Sequence, residues 1–152
     1  MADTVVGGLG NTLMSDEGVG VLIVRRLAQL PAGRFPGVEF VELGTSAMQA
    51  VHAMAGRRKA VFVDCAFMDR EPGALVRFGP DEVRTRKELP RLSLHEGDLL
   101  QGIELSRRLG ECPEEVVIFG VEPASIEFGE CLSPALQARL DSYVEAVAAE
   151  VQ

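Results

Sequence analysis

A chain of 152 residues, 47% of them apolar, is long enough to bury one substantial core, so residues 1–152 are read as a single domain. Its 23 acidic and 15 basic residues leave a formal charge of −8, which excludes a surface built for nucleic acid or for an anionic membrane, since both require a net positive face. Three cysteines without C-x-x-C spacing exclude a disulfide framework and a zinc knuckle; with no basic leader and no apolar run near the roughly 18 residues that cross a bilayer, the expected location is a reducing cytoplasm.

The first predicted element is a short apolar strand, Thr4–Gly8. Gly8-Leu9-Gly10-Asn11-Thr12-Leu13 follows it, and Asp16-Glu17 then heads a helix in which Val19, Leu22, Ile23, Leu27 and Leu30 recur at helical spacing. A glycine turn ahead of a helix ordinarily attracts an anion. Here the first turn holds two carboxylates. A phosphate roughly 4 Å from one of them would be repelled by about 4 kcal/mol at an effective dielectric of 20, against about 0.3–1 kcal/mol gained from the helix dipole. The turn therefore favours a cation. The dinucleotide fingerprint also fails on spacing, because Leu13 stands where the third glycine of G-x-G-x-x-G belongs.

Pro31, Gly33, Pro36 and Gly37 punctuate the exit from this helix, and Val38–Leu43 reads as a second strand. Thr45 or Ser46 caps a helix running to about Ala55, which Gly56 ends. Arg57-Arg58-Lys59 reads as a solvated helix end. Ala60-Val61-Phe62-Val63 is a strand buried on both faces that stops at Asp64. Pro72-Gly73 is a turn, Ala74–Phe78 an edge strand, and Gly79–Ser93 a long polar loop of the kind that often serves function. Leu99, Leu100, Ile103 and Leu109 predict a helix over Gly97–Leu109, closed by Gly110 and Pro113. Val116–Val121 is another buried strand. Ser133-Pro134 opens a last helix with Leu136, Leu140, Tyr143, Val144, Val147 and Val151 on one face. Strands alternating with helices predict an α/β fold, a mostly parallel sheet of about five strands between helices.

In such a fold ligands sit beyond the carboxyl ends of the strands. The residues found there are Gly8–Glu17, Glu42–Thr45, Asp64 and Glu122. Glu17, Asp64 and His95, supplied by separate segments, would make an open three-ligand site for a divalent cation of borderline hardness. Plainer readings stand beside this one. Asp16 and Glu17 suit the helix dipole, Asp64 suits a turn cap, and His95 suits a solvated loop. His52 reads as a surface or packing histidine and Met48 and Met54 as core filler. Cys65, next to Asp64, reads as a buried structural thiol rather than a nucleophile. Spacing alone does not choose.

Taken in order, the motifs above are specific. Gly8-Leu9-Gly10-Asn11-Thr12-Leu13 with Asp16-Glu17-Gly18-Val19-Gly20, Val38-Glu39 through Gly44-Thr45, Val63-Asp64, Pro72-Gly73, Ser93-Leu94-His95, Gly120-Val121-Glu122-Pro123 and Leu132-Ser133-Pro134 resemble the hydrogenase maturation endopeptidases over nearly the whole chain. That resemblance implies a three-layer α/β/α sandwich with Glu17, Asp64 and His95 at the metal-binding positions. It implies an endopeptidase that removes the C-terminal extension of the NiFe-hydrogenase large-subunit precursor, with nickel carried in by the substrate and other divalent cations able to occupy the site in vitro. A monomer is expected. The chemistry stays open between a metal-assisted route, with Asp16 as the candidate general base, and an aspartic-type route through Asp64 and a second carboxylate. The alternative function is a noncatalytic chaperone that binds the nickel centre of the large subunit. The chain departs from the family pattern at Glu42-Leu43-Gly44, where an aspartate and two glycines are usual, so Glu42 is carried over only as an auxiliary acidic residue. It also has Glu96 where glutamine is frequent.

Overall fold

Apolar runs that alternate with one-sided helices can be buried together only with the strands in the middle and helices on both sides. The computed structural model describes residues 2–85, 91–92 and 96–152, with side chains for all of these except 83–85, 91–92 and 96–98. The first half contains β1 (Thr4–Leu9), α1 (Val19–Gln29), β2 (Val38–Gly44), α2 (Ala47–Met54) and β3 (Lys59–Phe67). The second contains β4 (Leu75–Phe78), α3 (Pro80–Thr85), β5 (Arg91–Leu92), α4 (Glu96–Arg108), β6 (Glu115–Val121), α5 (Pro134–Gln137) and α6 (Leu140–Val151). The strands run in the order β2-β1-β3-β6-β4, with β5 paired to β3 off this path. The β2-β1, β1-β3 and β3-β6 pairs are parallel and β4 is antiparallel to β6.

The two-residue period of the strands divides the core between the two faces. Val61, Val63 and Cys65 of β3 join Val6, Val117 and Phe119 against Val19, Ile23 and Leu27 of α1 and Tyr143, Val144 and Val147 of α6. Ala60, Phe62 and Ala66 join Val5 and Ile118 against Ala50 and Met54 of α2 and Leu99 and Ile103 of α4. Each large aliphatic side chain so buried contributes about 1.5–3 kcal/mol. Ser46 caps α2 as predicted, its Oγ accepting from the Gln49 N–H at 3.3 Å. Met54 is core, but Met48 is half exposed, so only one of the two methionines fills the interior.

Three sequence expectations are corrected. β3 does not stop at Asp64: Asp64 and Cys65 pair with Gly120 and Val121, and Ala66 and Phe67 then pair with Leu92 and Arg91 of β5. Asp64 is thus a strand residue with its backbone fixed on the ladder. The predicted polar loop after Gly79 contains α3, begun by Pro80 with Asp81 and Glu82 in its first turn, the ordinary chemistry of a helix start. The final helix is two, because the start of α5 is tied at the Ser133 N–H to Asp16 while the Tyr143 hydroxyl of α6 donates to the Gly73 carbonyl at 2.6 Å. The turn at Ala138-Arg139 lets both anchors be met.

Two residues of the basic run, Arg57 and Lys59, are also structural rather than solvated, while Arg58 is exposed as expected. Arg57 donates to the carbonyls of Ala53 and Ala2 and pairs with Glu39. Lys59 is buried, with its ammonium 2.7 Å from Glu150 and 3.2 Å from Glu115, and Arg77 also bonds Glu150. The Arg77 hydrogen bond, reinforced by Lys59, holds the Glu150 carboxyl below its ordinary value of 4.5. A depressed carboxyl stabilises the fold fully above its unfolded pKa, and that contribution disappears as pH falls through the lower folded value. The wild-type melting temperature should therefore drop below about pH 4.5 more steeply than that of Glu150→Gln, as thermal unfolding from pH 7 to 3 would measure.

Candidate functional site

Glycines decide how the carboxyl ends of β1 and β3 meet the start of α1. A Cβ on Gly20 would lie 2.1 Å from the Val63 carbonyl oxygen and 2.7 Å from that of Leu9. Gly10 has φ +126°, and a Cβ there would lie 1.9 Å from the Glu17 carbonyl oxygen. These glycines bring backbone onto backbone. The 3-10 turn Ser15–Gly18 is thereby seated on the strand tips, with Asp16 and Glu17 almost fully buried.

Asp64 emerges from β3 at the same rim, completely buried, and its Oδ1 accepts the Cys65 N–H at 2.8 Å. Glu122 follows β6, and its Oε1 accepts the N–H groups of Met68 at 2.8 Å and Arg70 at 3.0 Å. Those contacts shape one wall of an open cleft of about 440 Å³ lined by Met68, Asp69, Arg70, Glu71 and Ala74. Asp16, Glu17, Asp64 and Glu122 all act electrostatically on one atom, the Cys65 sulfur. Burial, then the charge of Asp64, then those of the other three push the Cys65 thiol far up from its ordinary range. A thiolate is disfavoured there, in keeping with a buried structural thiol. Cys65→Ala should retain full activity. Iodoacetamide at pH 8 should label exposed Cys131 in the native protein and leave Cys65 untouched, with peptide mass mapping as the readout.

Asp16 has a different environment from its neighbour. Its Oδ2 accepts the N–H groups of Ala124 and Ser125, both at 2.9 Å, and its Oδ1 accepts that of Ser133 at 2.7 Å. A buried carboxylate filled by main-chain donors is a clamp on the segment after β6, and no sequence signal links a residue to partners more than a hundred positions away. Glu42 does not join the rim. Its carboxylate accepts from Arg25 of α1 at 2.9 Å, in a half-exposed ion pair. His52 is exposed. His95 lies outside the described residues, as does the side chain of Glu96, the first residue of α4. Among the described residues, no group of three His, Cys, Asp or Glu side chains is arranged to hold a metal ion. The two carboxylates predicted as ligands, Glu17 and Asp64, are at one rim. Each would attract a divalent ion at 4 Å by roughly 8 kcal/mol at an effective dielectric of 20.

Known proteins resemble this chain in sequence and in fold. A family model for hydrogenase maturation proteases matches residues 21–150. The hydrogenase 2 maturation protease of Escherichia coli K12 is 30% identical over 152 residues, covering 97% of this chain and 90% of that protein. The hydrogenase expression/formation protein HupD of Rhodobacter capsulatus is 29% identical over 141 residues, covering 90% of this chain but 65% of HupD, so this chain spans just under two thirds of that relative's length. Among solved structures, the hydrogenase maturating endopeptidase HybD from E. coli superposes with a TM-score of 0.82 at 31% identity, covering 97% of this chain and 90% of that one. The predicted α/β sandwich is the fold observed.

Proposed function

Since the chain belongs to the hydrogenase maturation protease family, we propose that it is the endopeptidase that removes the C-terminal extension of a NiFe-hydrogenase large-subunit precursor, recognising the nickel that the precursor carries. The observation that supports this most is the convergence of Glu17 and Asp64, both buried, at the carboxyl rim of the sheet. With His95 they form the ligand set for the substrate's metal. Their service is positioning: ligation of that metal fixes the scissile bond beside the rim. The metal in turn polarises the carbonyl or acidifies a water. Asp16 is assigned the clamp and not the base, because its lone pairs point at three main-chain donors. The free thiols of Cys65, Cys112 and Cys131 suit work in the cytoplasm, and the chain is proposed to act as a monomer. No helix among the described residues is long and apolar enough to cross a membrane.

The test is incubation of the purified protein with precursor loaded with nickel and with precursor lacking it, followed by intact-mass measurement. Shortening of the loaded precursor alone is expected. A stable complex with no shortening would replace the peptidase reading by that of a nickel-centre chaperone, and equal cutting of both precursors would remove the metal from recognition.

A further inference from the structure

The segment after β6 presents an exposed phenylalanine on an unusually well tied loop. Phe128 is 83% exposed, and Ile126 and Leu13 beside it in the paired segments are 36% and 46% exposed. Yet the backbone beneath them is fixed. The Gly129 N–H donates to the Leu13 carbonyl and the Ser15 N–H to that of Gly129, both at 2.8 Å. The Ser15 hydroxyl donates to the Glu127 carbonyl at 2.7 Å and the Asp16 N–H to that of Ser125 at 3.1 Å. The Asp16 carboxylate then takes the N–H groups of Ala124, Ser125 and Ser133. An apolar side chain held out on an ordered loop gains from contact with a partner without the cost of ordering that loop.

The occupant follows from what the loop is tied to. Its anchor is the turn Ser15–Gly18, which also carries Glu17, so a polypeptide that reaches Glu17 lies against the loop. Exposed Glu127 and Glu130 flank Phe128, and the whole chain carries −8. That charge selects basic neighbours around an apolar residue. Resting on the peptidase reading above, we propose that residues 124–133 form a substrate-binding wall, in which Phe128 contacts an apolar side chain of a basic stretch of the precursor. Asp16 is the positioning residue that holds the wall against the Glu17 turn.

The test uses full-length protein and nickel-loaded precursor. Phe128→Ser should raise KM about tenfold with kcat changed less than twofold and the melting temperature unaltered, because the side chain is solvated in the free protein. Asp16→Asn, which replaces one acceptor oxygen by an amide that cannot accept, should raise KM alone but add little in the Phe128→Ser background. A purely structural Asp16 would give additive effects. Should Asp16→Asn fail to fold, Phe128→Ser still decides the wall. An unchanged KM for Phe128→Ser overturns the inference while leaving the peptidase reading intact. If the wild type cuts no precursor, the peptidase reading falls, and titration calorimetry of the same precursor against wild type and Phe128→Ser decides the wall separately: tenfold weaker binding supports it and equal binding overturns it.

Discussion

Glu17→Gln and Asp64→Asn should each reduce kcat/KM for nickel-loaded precursor by at least about a hundredfold while leaving a folded protein. Both substitutions keep the shape of the side chain and remove its charge, so packing at the rim survives and metal ligation does not. At Asp64 the retained carbonyl oxygen can still accept the Cys65 N–H, which spans 2.8 Å in the native protein. Each substitution is isosteric in its buried position, so the melting temperature should stay close to that of wild type. Loss of cleavage with an unchanged melt is the signature of a ligand; loss of both would indicate a structural carboxylate. Full cleavage by either variant would remove that residue from the site. Circular dichroism melts and mass spectrometry of the precursor make both measurements on the same preparations.

The parts of this molecule that could be read from the sequence are those governed by local chemistry. Continuous apolar runs announced β3 and β6, helical spacing announced α1 and α4, and Ser46 announced the start of α2. The acidic first turn spoke against a phosphate site, and the glycines around it have a cause in packing. Gly10 and Gly20 are there because carbonyls of the Glu17 turn and of β3 occupy the space a Cβ would need. What escaped the sequence was settled by distant partners. Asp16 meets Ala124, Ser125 and Ser133, Lys59 meets Glu150, and Glu42 meets Arg25. A carboxylate's role depends on which donors face it: main-chain N–H groups make Asp16 a buried clamp, and Arg25 makes Glu42, away from the rim, half of a surface ion pair. Spacing carries no record of that difference.

Gly20→Ala puts the packing argument at its sharpest, because two opposing effects differ in size. In an ordinary helix the change gains roughly 0.5–1 kcal/mol, since alanine is the better helix former. At Gly20 the new methyl would stand 2.1 Å from the Val63 oxygen and 2.7 Å from the Leu9 oxygen. Neither oxygen is free to retreat. Val63 is paired to Gly8 on one side and Phe119 on the other, and Leu9 is paired to Gly44. The helix must lift instead, pulling Val19, Ile23, Val24 and Leu27 away from the sheet. Overpacking a core costs about 1–3 kcal/mol when side chains can adjust, and rigid backbone contact puts this case at or above the upper end. For a chain of this size a loss of about 3 kcal/mol lowers the melting temperature by roughly 6–12 °C. The displaced turn also carries Glu17, so cleavage should fall even at temperatures where the variant stays folded. Gly33→Ala is the matched control, since nothing lies within 4 Å of a Cβ at that exposed position. It should be neutral or slightly stabilising through the unfolded chain. A Gly20→Ala protein that melts within 2 °C of wild type, well inside the roughly 6 °C minimum expected, would mean that α1 does not press on β1 and β3 as described.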